Sequence, residues 1–132
     1  MSILQWPWLA ERQGQNAVLQ FIQAGTGNDE IAVSVVTVLE LVHGIVRADT
    51  VSRRDKRQRF LDELMSVVPV HAVTVQVGMR AGQIDGYSQA KGVRIPLSDL
   101  LIGVTALELG YAVVTHNVRH FRMIPNLVVN QF

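Results

Sequence analysis

The sequence predicts an α/β fold in which a mostly parallel sheet lies between two layers of helices. Short apolar runs rich in Val and Ile alternate with longer stretches whose apolar residues recur at helical spacing, and this alternation is typical of parallel α/β sheets. The 132 residues, 48% of them apolar and 17% charged, suffice for one globular core. We therefore expect residues 1–132 to form a single domain.

The first half of the chain contains two predicted strands and three predicted helices. Pro7 ends the first strand because it lacks an amide donor, and Gly25 stops the first helix. β-Branched residues dominate the second strand, and Ser52 is the predicted N-cap of the last helix. In chain order, these elements are a strand over 2–6, a helix over 16–24, a strand over 30–35, and helices over 37–48 and 52–65.

The second half contains two long predicted helices, and each ends at a glycine, Gly92 or Gly110. Apolar residues recur along one side of the first, as a helix packed on a sheet requires. In chain order, the elements are a strand over 67–70, helices over 74–90 and 99–109, a strand over 112–115, a turn or short helix over 116–121, and a strand over 127–129.

The helix over 37–48 combines an apolar face with a polar stripe that contains an acid. The apolar face consists of Val38, Leu39, Val42 and Val46. The stripe, at intervals of three and four residues, consists of Thr37, Glu40, His43, Gly44 and Arg47. Glu40 therefore belongs either to a solvated surface or to a site.

Asp99 is the single acid in an otherwise apolar run over 95–102. Ser98 is the predicted N-cap of the following helix, and Asp99 would then lie in the first turn, where the helix dipole favours negative charge. A buried carboxylate that is not such a cap requires a partner or a metal ion. Both interpretations follow from the sequence.

Three polar residues are predicted to meet at one edge of the sheet. Glu40 and Asn117 each follow a predicted strand closely, and Asp99 opens the helix before another. In parallel sheets functional groups gather beyond the carboxyl ends of the strands. Carboxylate and amide oxygens suit Mg²⁺ or Mn²⁺ rather than zinc, and such a cation supports phosphodiester chemistry.

Composition limits the other classes of function. The chain has no cysteine, which excludes a disulfide framework and a thiolate metal site, and its four histidines do not have zinc-site spacing. Its net charge of +1 gives no general attraction to nucleic acid. The basic run over 53–59 is either a solvated face or a phosphate-binding patch. His116 and His120 lie near the predicted site and could contact phosphate, but we expect a surface or capping role for them.

A membrane-bound protein is not predicted. The most apolar window, residues 97–114, is interrupted by Asp99, Glu108 and Gly110 and makes a poor membrane span. No secretion signal is visible at the start of the sequence. We therefore expect no membrane partner, and the composition is compatible with the cytoplasm.

Three segments resemble motifs of PIN domains of the VapC toxin type. Residues 34–44, SVVTVLELVHG, resemble the second acidic motif of that family, and residues 96–102, PLSDLLI, resemble the third. Residues 114–121, VTHNVRHF, resemble the last motif, where the family carries Asp or Asn. The order and spacing agree, and the resemblance extends over roughly residues 10–132.

The resemblance implies a PIN-like three-layer α/β/α sandwich and a Mg²⁺- or Mn²⁺-dependent endoribonuclease. Glu40 and Asp99 would be metal ligands, Asn117 would be a neutral ligand or orient water, and Thr115 would support the site. The implied partners are an RNA substrate, a VapB-type antitoxin and a second copy of the chain in a homodimer. The implied location is the cytoplasm.

The start of the sequence departs from the family pattern. PIN domains begin with an apolar strand that ends in a metal-binding Asp, expected here near Ile3, yet nothing acidic precedes Glu11. The first strand is therefore truncated or replaced, and three explanations stay open: a start assigned too late, a degenerate paralogue or a rebuilt site. For the chain as written we predict weak or absent nuclease activity, because charge count sets affinity for hard cations. The alternatives are a degenerate PIN-fold module that binds an antitoxin or RNA without cleaving, and an unrelated flavodoxin-like or receiver-like domain.

Overall fold

The computed structural model describes residues 1–5 and 30–131. The predicted helix over 16–24 lies outside these residues. None of the five helices in the described part of the chain has the length and hydropathy needed to cross a bilayer.

Five parallel strands form one sheet, with helices packed on both of its faces. The elements in chain order are β1 (Ser2–Gln5), β2 (Ile31–Ser34), α1 (Val35–Val46), α2 (Val51–Val67), β3 (Val70–His71), α3 (Val75–Ala90), α4 (Leu97–Leu109), β4 (Ala112–Thr115), α5 (Val118–Phe121) and β5 (Val129–Gln131). The strand order is β3-β2-β1-β4-β5, so β1 is the central strand. The predicted α/β sandwich with a parallel sheet is thereby confirmed, and residues 2–5 fill the position of the first strand.

The alternation of side chains along β1 divides the core into two clusters. Successive side chains of a strand point to opposite faces of the sheet. Ile3 packs with residues of α3 and α4, including Val77 and Leu100, whereas Leu4 packs with residues of α1 and α2, including Leu41. Both faces of β1 are buried, as expected for a central parallel strand.

The buried face of α1 is not the predicted one. Leu39, Val42 and Val46, predicted to face the core, are exposed. The residues of α1 that are buried instead are Thr37, Leu41, Gly44 and Ile45. Because this helix is apolar on nearly all sides, spacing alone does not select a face, and packing against β2, α2 and α4 decides it.

The helix starts differ by small shifts that have local causes. α2 begins after Thr50, whose hydroxyl accepts a hydrogen bond from the Arg53 amide, so the prediction of Ser52 as N-cap is wrong. The basic start of α2 pairs in part with local acid, since Arg53 lies 3.0 Å from Asp49. α4 begins after Pro96 without a side-chain cap, so the prediction for Ser98 is also wrong.

Gly103 in the middle of α4 is required for close packing. A Cβ there would overlap Ile124 Cδ1 and lie 3.2 Å from Leu127 Cδ2. We expect Gly103→Ala to lower the free energy of unfolding by about 1–3 kcal/mol, because overpacking forces neighbouring groups to shift. Urea unfolding followed by circular dichroism measures this loss.

Gly82→Ala in α3 is the control: a Cβ there meets nothing within 4 Å, so stability should stay the same or rise. Equal losses in both variants would contradict the packing argument.

Candidate active site

The candidate site lies at the carboxyl edge of the sheet, around the end of the central strand. Gln5 ends β1 and is in register with Thr115, the last residue of β4. On one side of β1, strand β2 runs directly into α1, which carries Glu40. On the other side, β4 leads to Asn117, the N-cap residue of α5.

Asp99 occupies the first turn of α4 and is buried, with 8% of its surface exposed. Its Oδ2 atom lies 2.7 Å from Nδ1 of His120. This contact gives the carboxylate a polar partner from α5, as a buried acid requires. His120 thus contacts Asp99, which differs from the predicted surface or capping role.

Glu40 lies close enough to Asp99 for the two carboxylates to repel each other. Burial raises the pKa of Glu40, and the negative charge of Asp99 raises it further. One helical turn earlier, the Thr37 hydroxyl is buried and has no hydrogen-bond partner in the part of the chain that the structure describes. Residues three apart share a side of a helix. This side of α1 therefore presents oxygen atoms whose charge and hydrogen-bonding capacity are incompletely compensated.

The repulsion at Glu40 has a measurable consequence for stability. A raised pKa means that folding disfavours the charged carboxylate, so this side chain reduces stability as the pH rises above the pKa of the unfolded chain. We expect Glu40→Gln to raise the melting temperature in a chelating buffer, more at about pH 8 than at about pH 4. Differential scanning calorimetry at both pH values checks this, with exposed Glu63→Gln as control. A gain that is the same at both pH values would contradict it.

Gln5, Thr115 and Asn117 form a hydrogen-bonded chain between β1 and β4. The Thr115 hydroxyl donates to Oε1 of Gln5 at 2.7 Å and accepts from the backbone amide of Asn117 at 3.0 Å. Gln5 and Thr115 are buried, whereas Asn117 is exposed. Thr115 therefore fixes the turn that carries Asn117.

The structure brings Glu40 near Asp99 and links Thr115 with Asn117. His120 contacts Asp99 and lies three residues after Asn117 in the chain. Sequence reasoning did not assign Gln5 to the site, and it placed His120 near the site without predicting its contact with Asp99. The available signals were the position of Gln5 at the end of an apolar run before Pro7, and the helical spacing of His120 from Asn117.

The side chains at this edge carry the types of ligand atom that a hard divalent cation prefers. They offer carboxylate and amide oxygens, and the repelling pair Glu40 and Asp99 would be relieved by positive charge. They are few, however: within residues 1–5 and 30–131, no group of three or more His, Asp or Glu side chains could hold a metal ion. The residues fit Mg²⁺ or Mn²⁺ chemically but provide only two negative charges.

Comparisons with known proteins identify the family. The PIN domain family matches residues 2–126. Ribonuclease VapC2 of Rickettsia felis is 27% identical over 105 residues, which cover 80% of this chain and 76% of that protein. Ribonuclease VapC of Rickettsia bellii is 24% identical over 107 residues, which cover 81% and 80%.

Solved structures show the same fold. VapBC2 of Rickettsia felis, bound to a DNA fragment from its promoter, matches with a TM-score of 0.82 at 21% identity over 100% of this chain and 99% of that chain. DNA-bound VapBC of Salmonella typhimurium matches with a TM-score of 0.81 at 20% identity over 98% and 96%. With the family match over residues 2–126, these findings establish that the chain belongs to the PIN domain family.

Proposed function

We propose that this chain is a VapC-like endoribonuclease, the toxin of a toxin–antitoxin pair, with low activity. The observation that carries the proposal is the closeness of Glu40 to buried Asp99, two carboxylates that repel each other at the carboxyl edge of a PIN-fold sheet. The resemblance to curated VapC ribonucleases supports the choice of RNA as substrate. A cytoplasmic location and a homodimer are parts of the same proposal.

In this proposal Glu40, Asp99 and Asn117 hold Mg²⁺ or Mn²⁺. When bound, the cation would stabilise the negative charge that develops on the phosphodiester. His120 orients the Asp99 carboxylate through the 2.7 Å contact. Thr115 holds the backbone of Asn117 and so positions its side chain at the edge of the sheet.

The test is cleavage of single-stranded RNA by the purified chain. We expect slow cleavage that requires Mg²⁺ or Mn²⁺ and stops when a chelator is added. Rapid cleavage would contradict the prediction of low activity, and cleavage that continues in the chelator would contradict the metal-dependent mechanism.

A second candidate function is a PIN-fold module that binds an antitoxin or RNA without cleaving. The observation that favours it is the neutral Gln5 at the end of the central strand, beside a site to which the described residues contribute two carboxylates. No cleavage by the wild-type chain at any cation concentration, together with retained antitoxin binding, would favour this candidate over the nuclease.

An exposed apolar stripe on α1 is the proposed contact for a VapB-type antitoxin. Val35, Leu39, Val42 and Val46 follow one another at intervals of four, three and four residues, and between 41% and 68% of each is exposed. Such spacing forms a seam for an amphipathic helix. The neighbouring α2 carries exposed basic residues, which favour an antitoxin helix that carries acidic residues. The matched structures are VapB–VapC complexes, which supports an antitoxin as the occupant.

A further inference from the structure

We propose that Gln5 is the residue that limits divalent-cation binding at this site, and that a carboxylate in its place completes a Mg²⁺ or Mn²⁺ site with Glu40 and Asp99. The inference rests on the proposed function, because it concerns the same cation site. It goes further by assigning the low charge of the site to one residue of this chain.

Gln5 lies at the centre of the carboxyl edge of the sheet. It is the last residue of the central strand, and only 6% of it is exposed. The two strands that pair with β1 lead to the two halves of the site, β2 to Glu40 on α1 and β4 to Asn117. A charge at Gln5 would therefore be added between these halves.

The chemistry of the Gln5 side chain opposes cation binding. Its amide is neutral, its Oε1 already accepts a hydrogen bond from Thr115, and its NH₂ group carries only donors. Affinity for hard cations rises with the number of charged ligands. A glutamine here leaves Glu40 and Asp99 as the two acids that residues 1–5 and 30–131 place near the cation position.

The charge of residue 5 can be separated from its structural role. Gln5→Glu preserves the length of the side chain and an oxygen that accepts from Thr115, while it replaces the NH₂ group by a charged oxygen. Gln5→Asp adds the same charge on a shorter side chain. The matched control is Gln131→Glu. Gln131 lies on β5, the other neighbour of β4, is in register with Thr115 as Gln5 is, and is exposed.

The experiment is titration of Mn²⁺ and Mg²⁺ into the full chain by isothermal calorimetry, with melting temperatures measured in parallel. We expect Gln5→Glu to bind Mn²⁺ at least about tenfold more tightly than wild type. In a chelating buffer this variant should melt below wild type, because it buries an unpaired charge, and Mn²⁺ should restore the loss. Gln131→Glu should bind like wild type, and adding Asp99→Asn to Gln5→Glu should abolish the gain.

Unchanged Mn²⁺ affinity in folded Gln5→Glu and Gln5→Asp would overturn the inference. So would failure of both variants to fold in saturating Mn²⁺, since a bound cation would offset the buried charge. Cleavage of RNA is scored separately. Tighter binding without cleavage supports the inference and contradicts the ribonuclease function. Metal-dependent cleavage by wild type, without tighter binding in the variants, supports that function and overturns the inference.

Discussion

Asp99→Asn will lower the residual metal-dependent cleavage of RNA by about 100-fold or more, since even the loss of a group that only orients a metal ligand costs 10–100-fold. Asp99 is one of the two carboxylates that the described part of the chain brings together at the edge of the sheet, and it is the better buried of the two. Asparagine keeps its shape and one acceptor oxygen, so the contact with His120 is largely preserved. Single-turnover cleavage of a labelled RNA at high protein concentration measures the effect.

The control for this substitution is Asp55→Asn on the exposed surface of α2. It removes the same charge at a distance from the sheet edge and should leave cleavage within about twofold of wild type. Circular dichroism and melting curves establish that both variants remain folded. If Asp99→Asn cleaves RNA as fast as wild type, the observed cleavage does not arise at this edge of the sheet.

Leu39→Lys will weaken binding of the proposed VapB-type antitoxin by about 100-fold, the size expected for a buried interface anchor. Leu39 is 68% exposed in the centre of the α1 stripe. A lysine there would have to be desolvated on binding, and the apolar contact would be lost. Calorimetric titration of the antitoxin into each variant gives the affinity, and stability should change by less than about 0.5 kcal/mol.

The matched control for Leu39→Lys is Met79→Lys on α3, which lies in the other helical layer and is 67% exposed. It introduces the same charge on a residue of equal exposure and should leave antitoxin binding unchanged. Equal weakening by both variants would indicate a general effect of charge. Weakening by Met79→Lys alone would place the antitoxin on α3 and contradict the proposed contact.

Local patterns predicted the fold well because they are set by neighbours in the sequence. The strand over 112–115 was predicted with its observed bounds, and Gly110 does adopt the left-handed conformation that ends α4, with φ of 71°. Predictions failed where the partner is distant in sequence. The face of α1 is chosen by packing on the sheet and on other helices. The start of α2 is a local exception, because Thr50 competes with the nearby Ser52 as the cap.

The candidate site was predictable where acids interrupt apolar runs, as at Asp99. The role of Gln5 was harder to predict from the sequence, because it depends on the register of Gln5 with Thr115, which only the assembled sheet defines. The family pattern placed the expected acid near Ile3, whereas the strand ends at Gln5. His120 was expected near the site, but its contact with Asp99 was not predicted, because a histidine on a short helix has no distinctive sequence signal and the contact spans 21 residues.

The central place of β1 also determines when this protein can fold during synthesis. The Gln5–Thr115 hydrogen bond joins residues 110 positions apart. Because long-range pairing must wait for its partner and makes folding slow, β1 leaves the ribosome long before β4 exists to receive it. The face of this strand that carries Leu4 can be covered once α1 and α2 have been made, whereas the sheet edge that joins Gln5 to Thr115 is completed only when β4 follows.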